Sequence, residues 1–304
     1  MRALVLSGAG NFGAMQAGAI EPLLETGFRP ELIVGTSAGA LNGLLLATEP
    51  TADGARRVQL AWKQVGLREI GVPSLLGSVR RLVTNRDSLV PSVPLARFVA
   101  RSLGLDLETF GQLHARCGVQ ARTMAVCVES GELVAFGDRG EDRLIDGAMS
   151  STAIPPYLPP WRAGGRRYLD GGVRSKLPVL AAIERGATQV LAVNVVGLMG
   201  GPESARGMLG ISSYAISLGI DEMTDREIEL ARRTGVELHL LELQVPPDVT
   251  FWDFSHAERL IGVGRQAARS WLEATPLRFR SPWQTDLRVR LAGVGRRLER
   301  IAGG

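Results

Sequence analysis

Two short apolar runs near the start of the chain, ALVL at 3–6 and LIVG at 32–35, each break into a glycine-rich turn and then into a helix-length stretch. A strand that is apolar at successive positions, rather than at alternate ones, is buried on both faces. Strand, tight turn and helix repeated in that order imply parallel strands joined by crossovers, with helices covering the sheet. The helices read as about Ala14 to Thr26 and Ser37 to about Ala47. Further strands read as 119–128, 132–136, 166–169, 189–196 and 236–243. The fold class is α/β, with a mostly parallel central sheet.

Composition bounds this reading. The 304 residues suffice for one large domain or two small ones, and 45% hydrophobic with 22% charged residues is ordinary for a globular protein. No stretch reaches the roughly 18 uncharged apolar residues of a spanning helix. The opening MRALVLSGAG holds one Arg and an apolar run too brief for a signal-peptide core, so a cytoplasmic location is expected. Cys117 and Cys127 form no Cys-X-X-Cys pair and read as buried free thiols rather than disulfide or zinc ligands. Without a repeat or low-complexity linker, one domain is expected over 1–275. Within it the arginine-rich, mainly helical 50–115, broken by Pro73, Pro91 and Pro94, reads as an insertion over one end of the sheet and a lid candidate.

The formal net charge of +4 is unevenly placed. From Arg278 to Gly304 seven arginines face only Asp286 and Glu299, a net of +5, so the body is close to neutral. That argues against a general nucleic-acid surface. In the same tail Trp283, Leu287, Leu291, Val294, Leu298 and Ile301 are spaced for an amphipathic helix. Two readings stand: peripheral contact with an anionic membrane, or a helix packed on the domain with a solvated arginine face.

The two turns carry the chemistry. GAGNFG at 8–13 fits the Gly-X-Gly-X-X-Gly of a dinucleotide fold, but the acidic residue expected at the end of the second strand is missing; Gly35-Thr36-Ser37 stands there, and Glu31 precedes the strand. The same loop can instead aim the backbone N–H groups of Gly8, Ala9 and Gly10 at a developing oxyanion. GTSAG at 35–39, between strand and helix, matches a nucleophile elbow with Ser37 at its apex. The bland alternative is Ser37 as a helix N-cap. A nucleophilic serine needs a base. His114, His239 and His256 each read first as structural, with His256, at an apparent helix start, the strongest exception. Asp170 in YLDGGV is either a tight-turn residue or that base, and Asp146 in LIDGAMSS competes with it.

Together these blocks resemble the patatin-like phospholipases. LVLSGAGNFGAMQAGAI is similar to that family's N-terminal loop and first helix, GTSAG to its elbow, SSTAIPPYLPP at 150–160 to its Ser-X-Ala-Ile-Pro block, and YLDGGV to its Asp-Gly-Gly motif. DFSHAERLIGVGRQAA at 253–268 is similar to the helix that closes the domain in bacterial members. The resemblance covers about residues 3–272. It implies a three-layer α/β/α fold and a Ser37–Asp170 dyad, with Gly8, Ala9 and Gly10 as the oxyanion loop. It implies hydrolysis of lipid acyl esters through an acyl-enzyme, with no cofactor and no metal. A lipid-binding scaffold on the same fold is the non-catalytic alternative. The family's loop usually carries Arg or Lys where Phe12 stands, which puts the preferred head group in question.

Overall fold

The computed structural model describes residues 1–70, 87–104, 109–198, 205–275 and 277. Of the basic tail expected at 276–304 only Leu277 is described, and Pro73 of the insertion lies outside the described residues.

Among the described residues the sheet has eight strands: β1 (Arg2–Leu6), β2 (Leu32–Thr36), β3 (Gln120–Cys127), β4 (Leu133–Phe136), β5 (Trp161–Ala163), β6 (Arg166–Asp170), β7 (Gln189–Val196) and β8 (Glu237–Gln244). Strands β3, β2, β1, β7 and β8 are neighbours in that order and all parallel, while β4, β5 and β6 add antiparallel pairings at the β3 end. Alternate residues of one strand serve two separate cores. Leu4 and Leu6 of β1, with Leu191 and Val193 of β7, enter the larger core, whereas Ala3, Val5, Val190 and Ala192 enter the smaller. A strand buried on both sides must be apolar throughout, and a core on either side makes three layers. The protein has a three-layer α/β/α fold.

The larger core is covered by α1 (Gly13–Glu25), α2 (Ala38–Ala47), α3 (Ala52–Gln64), α5 (Val93–Leu103) and α10 (Ala257–Ala274); the short α4 (Leu67–Ile70) and α6 (Phe110–Cys117) lie among them in sequence, and α7 (Leu144–Ser151) follows β4. The opposite face carries α8 (Val179–Glu184) and the C-terminal half of α9 (Gly207–Arg233), through Val179, Ala182, Ile228 and Ala231. Helix α9, 27 residues long, has no counterpart in the sequence reading. Cys117 and Cys127 are both free thiols, Cys127 buried and Cys117 half-buried. No described helix is long and apolar enough to cross a membrane.

Strand β3 sets up the junction that matters most. Along it β2 pairs at Gln120 to Met124, β6 at Ala125 to Cys127, and β4 at Thr123 to Val126. Since β4 overlaps both others, it occupies one edge of β3, and β2 and β6 share the other. They run toward each other and stop at adjacent rungs, Thr36 opposite Met124 and Asp170 opposite Ala125. Residues far apart in sequence thus meet head to head.

Candidate active site

Ser37 follows β2 with φ 56° and ψ −124°, the only non-glycine residue at positive φ among the described residues. Left-handed backbone is strained for a side-chain-bearing residue, by about 1–3 kcal/mol. The flanking glycines make the turn possible by close approach: a Cβ on Gly35 would lie 2.3 Å from the Gly39 carbonyl oxygen, and one on Gly39 would lie 2.4 Å from that of Leu6. The Ser37 N–H donates to Ser151 Oγ at 2.9 Å, and the neighbouring Thr36 hydroxyl donates to the Ser175 carbonyl at 2.9 Å. Both bonds are buried and fix the elbow against α7 and the turn after Asp170.

Asp170 is 4% exposed. Its Oδ1 accepts the Gly172 N–H at 2.7 Å, and its own N–H donates to the Ala153 carbonyl at 3.0 Å. Burial pushes its carboxyl up to about 7, against the opposing pull of the Ser37 side chain and the Gly172 N–H. Oδ2 meets no hydrogen-bond partner, although the Ser37 side chain is near enough to the carboxyl to pull against the upward shift. Catalytic hydrogen bonds are commonly long before substrate binds.

The glycine loop contributes fewer free donors than expected. The Gly8 N–H donates to the Lys176 carbonyl at 2.8 Å and is already committed. The N–H groups of Ala9 and Gly10 precede the first bond of the short 3-10 turn Gly10–Phe12, and among the described residues neither meets an acceptor. Of the three loop residues Gly8, Ala9 and Gly10, the last two thus carry the N–H groups left without an acceptor. Gly10 has φ 54°, and a Cβ there would lie 2.4 Å from the Phe251 ring. Phe12 is fully buried in the larger core, so its side chain neither lines the cavity nor meets a lipid head group.

Several supporting residues were not identified from sequence. Asn11 donates to the Thr250 and Asp253 carbonyls at 2.9 and 2.8 Å, tying the glycine loop to the segment that carries Phe251, Trp252 and Phe254. Trp62 donates to Asn42 Oδ1 at 2.6 Å; Asn42 in turn donates to Gln16, and Gln16 to the Ser7 hydroxyl and carbonyl. Lys176, 3% exposed, is paired with Asp221 at 3.1 Å, and Ser175 donates to Glu227 at 2.8 Å, so α9 holds the turn after Asp170 at two points. Burial raises the Glu227 carboxyl above its usual range. These contacts join segments remote in sequence, so no local pattern announces them.

Ser37 and Gly10 open onto an apolar cavity of about 880 Å³, mouth included. Leu41 and Leu45 of α2, Val58 and Trp62 of α3, Leu95, Phe98 and Leu103 of α5, and Phe251, Trp252 and Phe254 form its walls. Of the described helices of 50–115, α3, α4 and α5 thus line the cavity, and α6 does not. No histidine does so: His114 is exposed on α6, His239 lies in β8, and His256 is beside Asp253 at 3.3 Å. Asp146 accepts the Trp161 indole N–H at 2.9 Å in a separate polar cleft. Among the described residues no group of three or more His, Cys, Asp or Glu could hold a metal.

The family model described as patatin-like phospholipase matches residues 4–183, and the chain belongs to that family. It is 26% identical over 213 residues to the uncharacterized protein YjjU of Escherichia coli, covering 64% of this chain and 52% of that one. It is also 26% identical over 195 residues to the mouse patatin-like phospholipase domain-containing protein 7, covering 64% of this chain and 13% of the relative. The chain thus spans about half of one curated relative and a small part of the other. Among solved structures, VipD from Legionella pneumophila matches with a TM-score of 0.49 at 14% identity, covering 90% of this chain and 67% of that one. The type III effector ExoU of Pseudomonas aeruginosa matches with a TM-score of 0.44 at 16% identity, covering 91% and 53%.

Proposed function

We propose that the protein is a serine acyl hydrolase that cleaves carboxylic-ester bonds of lipids through a Ser37–Asp170 dyad. The observation that carries this reading is the junction of β2 and β6, where a strained, cavity-facing serine meets a buried carboxyl with pKa about 7. A carboxylate in its ordinary range is a weak base at neutral pH, and one raised to about 7 matches the task. The apolar cavity beside Ser37 suits an acyl chain.

In this mechanism Asp170 accepts the Ser37 hydroxyl proton as Oγ attacks the ester carbonyl. The carbonyl oxygen becomes an oxyanion against the free N–H groups of Ala9 and Gly10. Collapse expels the alcohol, which takes the proton back from Asp170, and leaves the acyl group on Ser37. Water, losing its proton to Asp170, then attacks the acyl-enzyme and releases the fatty acid, returning the proton to Ser37. The family assignment and the lipid phospholipase name of the mouse relative support a lipid substrate. Peripheral contact of the basic 276–304 tail with an anionic membrane is part of the proposal.

The test is a fluorophosphonate probe with release of fatty acid measured in parallel. Wild type is expected to label and to hydrolyse, and Ser37→Ala to do neither. Absence of labelling in the wild type would favour the lipid-binding scaffold.

A further inference from the structure

Helix α9 changes character at Asp221. Beyond it Thr224, Ile228 and Ala231 are buried, and Asp221 and Glu227 anchor the helix to Lys176 and Ser175. Before it, from Gly207 to Ile220, there is no charged residue. In this half Met208 is 82% exposed, Ile211 and Ile216 are each 56%, and Leu218 is 54%. Placed at 100° per residue, these four side chains cover an arc of about 160°.

The position of this half follows from topology. The carbonyl of Lys176 holds Gly8, just past the end of β1, and that of Ser175 holds Thr36 at the end of β2, so Asp221 and Glu227, bound to the Lys176 and Ser175 side chains, anchor the helix at the catalytic edge of the sheet. The helix then runs back to Arg233 and into the start of the parallel strand β8, at the opposite edge. Its first 14 residues, about 21 Å at 1.5 Å per residue, therefore precede both anchors and extend past that edge.

We infer that Gly207–Ile220 is a lipid-docking element that enters one leaflet of a membrane and brings the Ser37 cavity to its substrate. This rests on the lipid reading of the site. A broad apolar arc without a charge to set register suits a fluid lipid surface, whereas a protein partner covers one face and fixes a register. The projecting length is short of the ~30 Å hydrocarbon core, so the element dips in and does not cross. Asp221, Glu222 and Asp225 follow at once and limit the depth of entry. Binding is therefore expected on zwitterionic vesicles and without dependence on salt.

The experiment uses the 304-residue chain carrying Ser37→Ala, with and without Ile211→Asp and Leu218→Asp, in flotation with phosphatidylcholine vesicles at low and at 0.5 M salt. The double substitution is expected to lower the bound fraction about tenfold at both salt concentrations. With Ser37 intact, it is expected to slow hydrolysis of vesicle lipid similarly while leaving turnover of a short soluble ester, and the thermal midpoint, unchanged. Undiminished vesicle binding overturns the inference. If binding appears only when phosphatidylglycerol is added to the vesicles and is abolished by salt, the basic tail is the membrane contact and the inference fails; if instead the variant only converts a dimer to a monomer, a second copy covers the helix and the inference also fails. Absence of soluble-ester turnover in both chains refutes the hydrolase reading separately, because vesicle binding is measured on the Ser37→Ala chain.

Discussion

The two glycine turns at the head of the sheet share a pattern and a backbone setting, and differ in what stands at the left-handed position. In the first it is Gly10, at φ 54°; in the second it is Ser37, at φ 56°. Gly10 adopts that conformation without penalty and leaves room for the Phe251 ring, so its loop offers bare N–H groups. Ser37 adopts it under strain, held by Ser151 and by glycines on either side. Strain is accepted where a side chain has to point into the cavity, and avoided where only backbone is needed.

The sharpest way to break the comparison is to make the second turn like the first. Ser37→Gly is expected to abolish labelling and ester hydrolysis, yet to be more stable than Ser37→Ala by about 1 kcal/mol, because glycine relieves the positive φ. Thermal melts of the two variants decide this, and equal stability would mean that the elbow stores no strain. The reverse change, Gly10→Ala, is expected to destabilise by about 2–4 kcal/mol and to lower activity, since its Cβ meets an aromatic ring at 2.4 Å.

Asp170→Asn sharpens the contrast in a different way. A carboxyl raised to about 7 in the folded state disfavours folding once the unfolded chain ionises near pH 4. The penalty is absent below that pH, grows up to about 7 and is constant above it. The Asn variant is therefore expected to be more stable than wild type by about 1–4 kcal/mol at pH 8 and equal to it near pH 4, measured by denaturant unfolding. The smallest effect is expected at Gly8. A Cβ there meets Ser37 Cβ at an ordinary 3.5 Å, and its N–H bond to Lys176 is unaffected, so Gly8→Ala should change stability by less than about 1 kcal/mol.

Much of this was legible in the chain because the signals are local. Strands β1 and β2 announced themselves as apolar runs, and GTSAG stood between ELIV and ALNG as an elbow pattern. What brings Asp170 to Ser37 was not local: the end-to-end meeting of β2 and β6 exists only once both pair with β3. Phe12 looked like a lost charge at the site and is a core residue, because the 3-10 turn points it inward. Helix α9 escaped notice for a physical reason. Its first half is apolar over a wide arc and contains Gly210, Gly219 and three serines, so it lacks both the amphipathic period and the propensity of a helix packed on a core. Strand β5, three residues long, is too short to register as a pattern.

The central claim is that Asp170, without a histidine, activates Ser37. It is tested most directly by the rate of fluorophosphonate labelling of Ser37 across pH 5 to 9, in wild type and Asp170→Asn. In wild type the rate is expected to rise through about pH 7 as the buried carboxyl loses its proton, and in Asp170→Asn to be negligible at every pH. A rate that rises in the same way in both chains would contradict the dyad and assign the activation of Ser37 to another group.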